Sequence, residues 1–277
     1  MKTFRICPKL NYATETAEKR QNVDNVIAHI TEKMLAAGYT QASEKCKQID
    51  WVFSIGGDGT MLHSMRSHLY KGSIVIGVNA GNVGFLTPYS LDDIFNSDVV
   101  SLLKDEARIE KRSILSHNLG EDKGYAVNDY AITAVGPNDM LDFSVEIEHR
   151  GLVSRAGHYR ANALVLSGPC GSTAYNMNAG GAVIDPVVKC MQMVMVAPTT
   201  IGTRPLIISK NSKIHVHINS AAKVFADGIL LNDVEKDSGS IMTVTLMQRE
   251  SNILVPQDWN FFSVLAKKLH WNNGREV

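Results

Sequence analysis

Trp51-Val52-Phe53-Ser54-Ile55-Gly56-Gly57-Asp58-Gly59-Thr60-Met61-Leu62 is the run on which the rest of the chain turns. Trp51, Val52, Phe53 and Ile55 form a nearly unbroken β-branched and aromatic stretch, the pattern of a strand buried on both faces. Past the glycines, Met61, Leu62, Met65 and Leu69 recur at helical spacing, and Thr60 is the expected N-cap. The reading is strand, tight turn, helix. A glycine-lined turn feeding a helix N-terminus presents backbone N–H groups and the positive end of a macrodipole, so its natural ligand is a phosphate.

The turn is neither of the commonest phosphate fingerprints. It lacks the Gly-Lys-Ser/Thr ending of a P-loop, and Gly56, Gly57 and Gly59 are not spaced as G-x-G-x-x-G. It places Asp58 where phosphates would otherwise sit. That carboxylate makes sense beside a magnesium ion, or as the acceptor of a proton from an attacking hydroxyl. The plainer alternative is a tight turn in which Asp58 hydrogen-bonds its own backbone.

With 277 residues the chain is long enough for about two domains. Its 28 basic and 28 acidic residues cancel, and no dense Lys/Arg block marks a nucleic-acid or anionic-membrane surface. No apolar run reaches the ~18 residues of a membrane span, and the start, MKTFRICPKLN, has no apolar leader region. A cytoplasmic protein is expected. Cys7, Cys46, Cys170 and Cys190 are scattered with no C-x-x-C, which argues for reduced thiols. His215 and His217 share a strand face and form the one weak metal alternative.

In chain order, Thr3 to Cys7 suits a first strand, and Val23, Val26, Ile27, Ile30, Met34 and Leu35 stripe a helix that Gly38 can end. Ser73 to Val78 is a further buried strand, and Ser90 with Asp93 forms a capping box ahead of Leu91, Ile94 and Phe95. This β-α alternation predicts a parallel sheet flanked by helices, with ligands at the carboxyl ends of its strands. From about Arg108 the period drops to 2. Leu141, Phe143, Val145 and Ile147 alternate with polar residues, and short runs follow at 163–166, 191–196, 213–218, 223–226 and 241–248. These predict an antiparallel β domain, with Met191, Met193 and Met195 filling its core. Trp259 to Trp271 returns to helical spacing and is expected to fold back onto the first domain. The expected division is an α/β domain of residues 1–105 plus 251–277 and a β-rich nucleotide-binding domain of 106–250.

A second constellation lies between Tyr159 and Pro186, where Gly168, Gly171, Gly180 and Gly181 stand among small hydroxyl residues. Gly171-Ser172-Thr173-Ala174-Tyr175 offers N–H groups, two hydroxyls and an aromatic face, a set suited to a nucleotide. A glycine-rich β-to-α connection with a buried tyrosine would read the same way.

The whole set resembles the NAD kinases of bacterial type. Five blocks follow that family's order: GGDGT at 56–60, GNVGFLT at 81–87, VND at 127–129, GSTAY with AGG at 171–181, and ADG at 226–228. Arg204-Pro205-Leu206 and the closing FFSVLAKKLHW also look like the family. The GGDG turn is shared with diacylglycerol kinases and 6-phosphofructokinases, whereas the ordered set is specific. The resemblance implies transfer of the γ-phosphoryl of ATP, or of a phosphoryl from polyphosphate, to the 2′-hydroxyl of the adenosine ribose of NAD, giving NADP. It also implies magnesium carried on the donor phosphates rather than by direct protein ligands, and a homodimer or homotetramer.

Carried over position by position, the resemblance implies Asp58 as the base, and Gly56, Gly57, Gly59 and Thr60 as donor-phosphate ligands. It implies Phe85, Asn128, Asp129, Arg160, Asn162, Thr173, Ala174, Tyr175, Asn178 and Asp227 around NAD. Three departures stand out. Arg160-Ala161-Asn162-Ala163 replaces the usual Arg-x-Asp-Gly, Asp129 stands where many members have glutamate, and Gly168-Pro169-Cys170 replaces a Thr-Pro-Thr or Thr-Pro-Ser run. Asn162 loses a charge, and Ala163 cannot take up glycine's φ > 0 cheaply, so a different local backbone is expected. All three lie on the NAD side, which points to altered NAD affinity or selectivity. A lipid or sugar kinase sharing GGDGT, and a non-catalytic dinucleotide-binding regulator, are the competing readings.

Overall fold

The computed structural model describes residues 2–9, 16–43, 45–81, 84–104 and 107–270. Asn82 and Val83 of the GNVGFLT block, and Trp271 of the closing segment, lie outside them. Contacts divide the chain into a first unit, Met1–Lys111 with Ser251–Val277, and a second, Arg112–Glu250.

The first unit runs β1 (Thr3–Pro8), α1 (Ala17–Ala36), β2 (Thr40–Gln41), β3 (Trp51–Gly56), α2 (Asp58–His68), β4 (Ile74–Asn79), β5 (Tyr89–Ser90), α3 (Leu91–Phe95) and α4 (Val99–Lys104). Its strands pair in parallel in the order β2-β1-β3-β4, with β5 beside the end of β4. All six residues of β3 are buried, as its apolar run requires. The α1 stripe forms as expected: Val23, Val26, Ile30 and Met34 pack with Phe4, Phe53 and Ile76 in one core. Gly38, at φ +80, follows the helix, and its N–H closes the last turn on Leu35. Ser90 and Asp93 make the expected capping box.

The second unit takes in most of β6 (Ala107–Leu119), then β7 (Asp122–Ala126), β8 (Asp129–Ala134), β9 (Leu141–His149), β10 (Leu152–Ala161), β11 (Ala163–Ser167), α5 (Tyr175–Asn178) and β12 (Cys190–Val196). It continues through β13 (Leu206–Ser209), β14 (Ser212–Ile218), β15 (Ala222–Ala226), β16 (Ile229–Val234) and the start of β17 (Ile241–Pro256). One antiparallel sheet has the order β13-β12-β11-β8-β15-β16, and β10-β9-β14-β17 makes a second antiparallel run. Inward residues of both, including Ile132, Leu164, Met191, Met193, Met195, Val145, Ile214 and Val244, share one core. The methionines are core filling.

The last expected strand is longer than its alternating part. β17 pairs with β14 through Ile241–Thr245, and its residues Asn252–Leu254 pair in parallel with β4 in the first unit. Helix α6 (Phe261–Lys268) then packs in the first unit, where Phe261 lies 6.3 Å from Phe85 and Lys268 sits over the Phe85 ring. Its N-cap is Asn260, whose side chain accepts from Phe262 and Ser263 N–H.

Candidate functional site

The glycine turn joins the buried strand β3 to helix α2. The cap differs from expectation: Gly57, in an extended conformation, is the N-cap, and the helix starts at Asp58. Thr60 lies within the first turn, and its N–H donates to Gly57 O at 3.0 Å, so that donor is spent. The Asp58 and Gly59 N–H groups have no carbonyl partner earlier in the helix and are the donors the turn can offer. Gly56 is required by close approach, since a Cβ there would overlap the Thr60 hydroxyl.

Asp58 does not fold back on its own turn. Its Oδ2 accepts from Phe85 N–H at 2.9 Å and its Oδ1 from Leu86 N–H at 3.0 Å, with the Thr87 hydroxyl at 3.4 Å. It thereby ties the GGDGT and GNVGFLT blocks together. Gly84 permits this, because a Cβ there would overlap Asp58 Oδ1. A carboxylate has about four lone-pair positions, so acceptor capacity remains after these bonds.

Cavities adjoin the turn. One, of about 220 Å³, is lined by Lys9, Lys19, Arg20, Gly56, Gly57 and Asn79 among others. Another, of about 830 Å³, is lined by Arg5, Lys9, Gly57, Gly59, Thr60, His63, Ser64, His68 and Lys71 among others. His68 is buried and engages Ser64 O through Nδ1 at 2.9 Å. Burial holds its pKa below the usual histidine value against that hydrogen bond, and the charges of Lys71, Arg5 and His63 lower it further.

In the second unit, Asp227 and Gly228 form the hairpin turn between β15 and β16, with φ +48 and +78. The turn reading of Asp227 holds, and its side chain has partners of its own. Its carboxylate accepts from Val127 N–H (3.0 Å), Asn128 N–H (2.8 Å) and Asp129 N–H (3.3 Å). The VND and ADG blocks thus meet backbone to side chain. Gly171 lies so close to the Asn128 carbonyl that a Cβ would overlap it, and Gly168 N–H donates to that same carbonyl at 3.0 Å. Of the GSTAY hydroxyls, Ser172 is spent: it is fully buried and exchanges hydrogen bonds with Ile184 N–H and O.

Asn128, Asp129, Ala174, Tyr175 and Asp227 line one cavity of about 370 Å³ with Ala131, Thr133, Phe225 and Gly228. Tyr175 is 39% exposed there rather than buried. Asp129 is 5% exposed. Its pKa is raised to about 7, first by burial and second by the charge of Asp227.

Two family models cover most of the chain: the ATP-NAD kinase N-terminal domain over residues 5–105 and the ATP-NAD kinase C-terminal domain over 127–254. The chain belongs to the ATP-NAD kinase family. Its activity is therefore that of an NAD kinase, a phosphotransferase acting on NAD with ATP as donor. Among relatives, NAD kinase of Sulfurimonas denitrificans is 28% identical over 272 residues, covering 95% of this chain and 93% of its own length. NAD kinase of Buchnera aphidicola (subsp. Baizongia pistaciae) is 30% identical over 90% of this chain and 86% of its own. The fold matches yeast NADH kinase, solved with NADH, at TM-score 0.84 and 19% identity over 100% of this chain and 89% of that one. It also matches an NAD kinase from Archaeoglobus fulgidus, solved with ATP, at TM-score 0.73 and 22% identity over 98% and 99%.

Against the ATP-NAD kinase motifs, several anticipated residues stand away from the 370 Å³ cavity lining. Phe85 packs on Phe261 in the first unit. Arg160 and Asn162 are exposed around the β10–β11 junction, where their backbone groups bond to Thr199, Val196 and Ala134. Ala163 takes an ordinary strand conformation, 3% exposed and paired with Val196 and Thr133, a backbone that does not need glycine's φ > 0. Thr173 ends the 3-10 turn beside Ala174, and Asn178 is exposed at the end of α5. The sequence reading missed Ala131, Thr133 and Phe225. Period 2 would have found them, since 129, 131 and 133 share a face of β8 and Phe225 pairs with Ala131. Arg5, Lys9, Lys19, Arg20, His68 and Lys71 carried no local signal.

Proposed function

We propose that the chain transfers the γ-phosphoryl of ATP to the 2′-hydroxyl of the adenosine ribose of NAD in the cytoplasm, with Asp58 accepting the hydroxyl proton. The observation that carries this is the anchoring of Asp58. Two backbone N–H groups fix its carboxylate at the head of α2, beside cavities rich in cations, where an anionic donor is favoured. Gly56, Gly57, Gly59 and Thr60 shape the donor-phosphate seat, with Lys9, Lys19 and Arg20 supplying charge. The cavity of Asn128, Asp129, Ala174, Tyr175 and Asp227 takes NAD, with Thr173, Asn178, Arg160 and Asn162 toward its rim. Asp227 acts by positioning: it holds the backbone of Val127–Asp129.

Among the described residues no three His, Cys, Asp or Glu side chains gather around a possible ion. A hard cation carried mainly by donor phosphates suits that donor set, with Asp58 the nearest carboxylate to the turn. Bound magnesium would neutralise charge on those phosphates. Cations on both sides of the turn also favour polyphosphate as a second donor. The partners are NAD and the donor, with neither nucleic acid nor membrane; among the described residues no helix is long and apolar enough to cross a bilayer. Leu206 and Ile207 on edge strand β13, with Ile229 and Leu230 on edge strand β16, are exposed and support a homodimer or homotetramer.

The test is NADP formation by purified protein with ATP, magnesium and NAD, run beside Asp58→Asn. The wild type should make NADP and the variant should lose about 10²- to 10⁴-fold in rate. NADP production by the variant at the wild-type rate would remove Asp58 from the chemistry.

A further inference from the structure

Among the described residues Asp129 is the one buried acidic side chain. It is 5% exposed and lines the 370 Å³ cavity, yet among the described residues no hydrogen bond or ion pair reaches its carboxyl group. On its own strand its cavity neighbours are Asn128, Ala131 and Thr133. Opposite it on β11 stands Ser167, whose hydroxyl donates to Gly168 O. From the β15–β16 turn comes Asp227, and from α5 comes Tyr175. Among the described residues no Lys, Arg or His lines this cavity.

Of the two carboxyl groups, Asp227 is the one that backbone donors reach, accepting three N–H bonds. Hydrogen bonds to the charged form favour that form. A second carboxylate at Asp129 would be desolvated, would meet no cation, and would face the first. The economical state is one proton on Asp129, consistent with the upward shift that burial and Asp227 impose.

We propose that Asp129 reads the nucleotide as a neutral carboxylic acid, with its O–H donating to an adenine ring nitrogen and its carbonyl oxygen accepting from the exocyclic amine. This is the two-point arrangement through which an Asn or Gln amide reads adenine. It rests on the placement of NAD in this cavity proposed above. A carboxylate in the same place can only accept, and it adds charge where a doubly phosphorylated ligand enters. Shortening the usual glutamate by one methylene keeps the acid close to Asp227, which gives the departure at this position a chemical role.

The experiment is calorimetric titration of the intact protein with NAD alone, from pH 6 to 8.5, for wild type, Asp129→Asn and Tyr175→Ala. In the wild type Kd should rise roughly tenfold per unit above pH 7. Asp129→Asn, an amide of the same shape, should keep the pH 6 affinity within about threefold and lose the slope. Wild-type binding that is flat or tightens with pH, together with loss of affinity in Asp129→Asn, overturns the inference. In that case a Kd that still responds to Tyr175→Ala leaves NAD in this cavity. A Kd indifferent to all three changes overturns the placement itself. Carboxyl ¹³C shifts of the free protein give a readout without ligand: Asp129 should titrate near 7, and titration near the ordinary aspartate value overturns the inference.

Discussion

Two aspartates, one in each unit, show how environment assigns opposite roles to the same side chain. Asp58 heads a helix and receives two backbone N–H donors and a hydroxyl. Asp129 begins a strand, gives its own N–H to Asp227, and has burial and a neighbouring carboxylate in place of donors. Each motif spells an acid; the surroundings decide whether donors hold its carboxyl group in place or burial and a like charge raise its pKa.

Removing the donors or acceptors on the Asp58 side should produce the largest changes. Asp58→Asn puts an NH₂ against Phe85 or Leu86 N–H, so besides the rate loss given above it should destabilise the protein by about 1–3 kcal/mol. Hydrogen exchange at Phe85 and Leu86 should quicken in this variant; unchanged protection would show that the tether carries no weight.

Asp129→Asn should act in the opposite direction on stability. Its folded pKa of about 7 lies above the unfolded value near 3.9. The folded state therefore binds more protons between those values, and stability falls as pH rises through that window, then levels off above 7. The substitution should raise stability at pH 8 by up to about 4 kcal/mol and make no difference below pH 4. Paired denaturant melts at pH 8 and pH 5 measure this, and a variant no more stable at pH 8 would mean that Asp129 carries its charge without cost.

Gly84→Ala should cost about 1–3 kcal/mol, because the new methyl must displace the Asp58 carboxylate or the loop. If Asp58 is the base, activity should fall with it, whereas an active, destabilised variant would separate anchoring from chemistry. The smallest effect expected is at Lys19 and Arg20. Each →Ala should raise the KM for ATP by about threefold to tenfold, leave the KM for NAD unchanged, and matter less in high salt.

What could be read from the chain followed the range of the physics. Glycine-Asp chemistry in the turn, the capping box at Ser90, and the period-2 strands are local and were legible. The N-cap was placed three residues late, because Gly57 caps through backbone conformation and leaves no side-chain signature. The tether from Asp58 to Phe85 spans 27 residues, and the cluster of Arg5, His68 and Lys71 is assembled by β1 packing beside α2. Neither has a sequence period. Residues Arg160, Asn162 and Asn178 were selected by motif alone, and the structure leaves all three exposed.

The Asp227 corner also has a temporal meaning. Its carboxylate and the three N–H groups it accepts lie 98 to 100 residues apart in the chain. Contacts so distant in sequence are slow to form, because a long loop must close before they repay its entropy. During synthesis β8 and β11 emerge well before residue 227 exists, so Val127, Asn128 and Asp129 wait with their amides unmatched. A ribosome-stalled chain ending before Asp227 should therefore show unprotected amides at 127–129, and the cavity proposed for NAD would be completed only by the last third of translation.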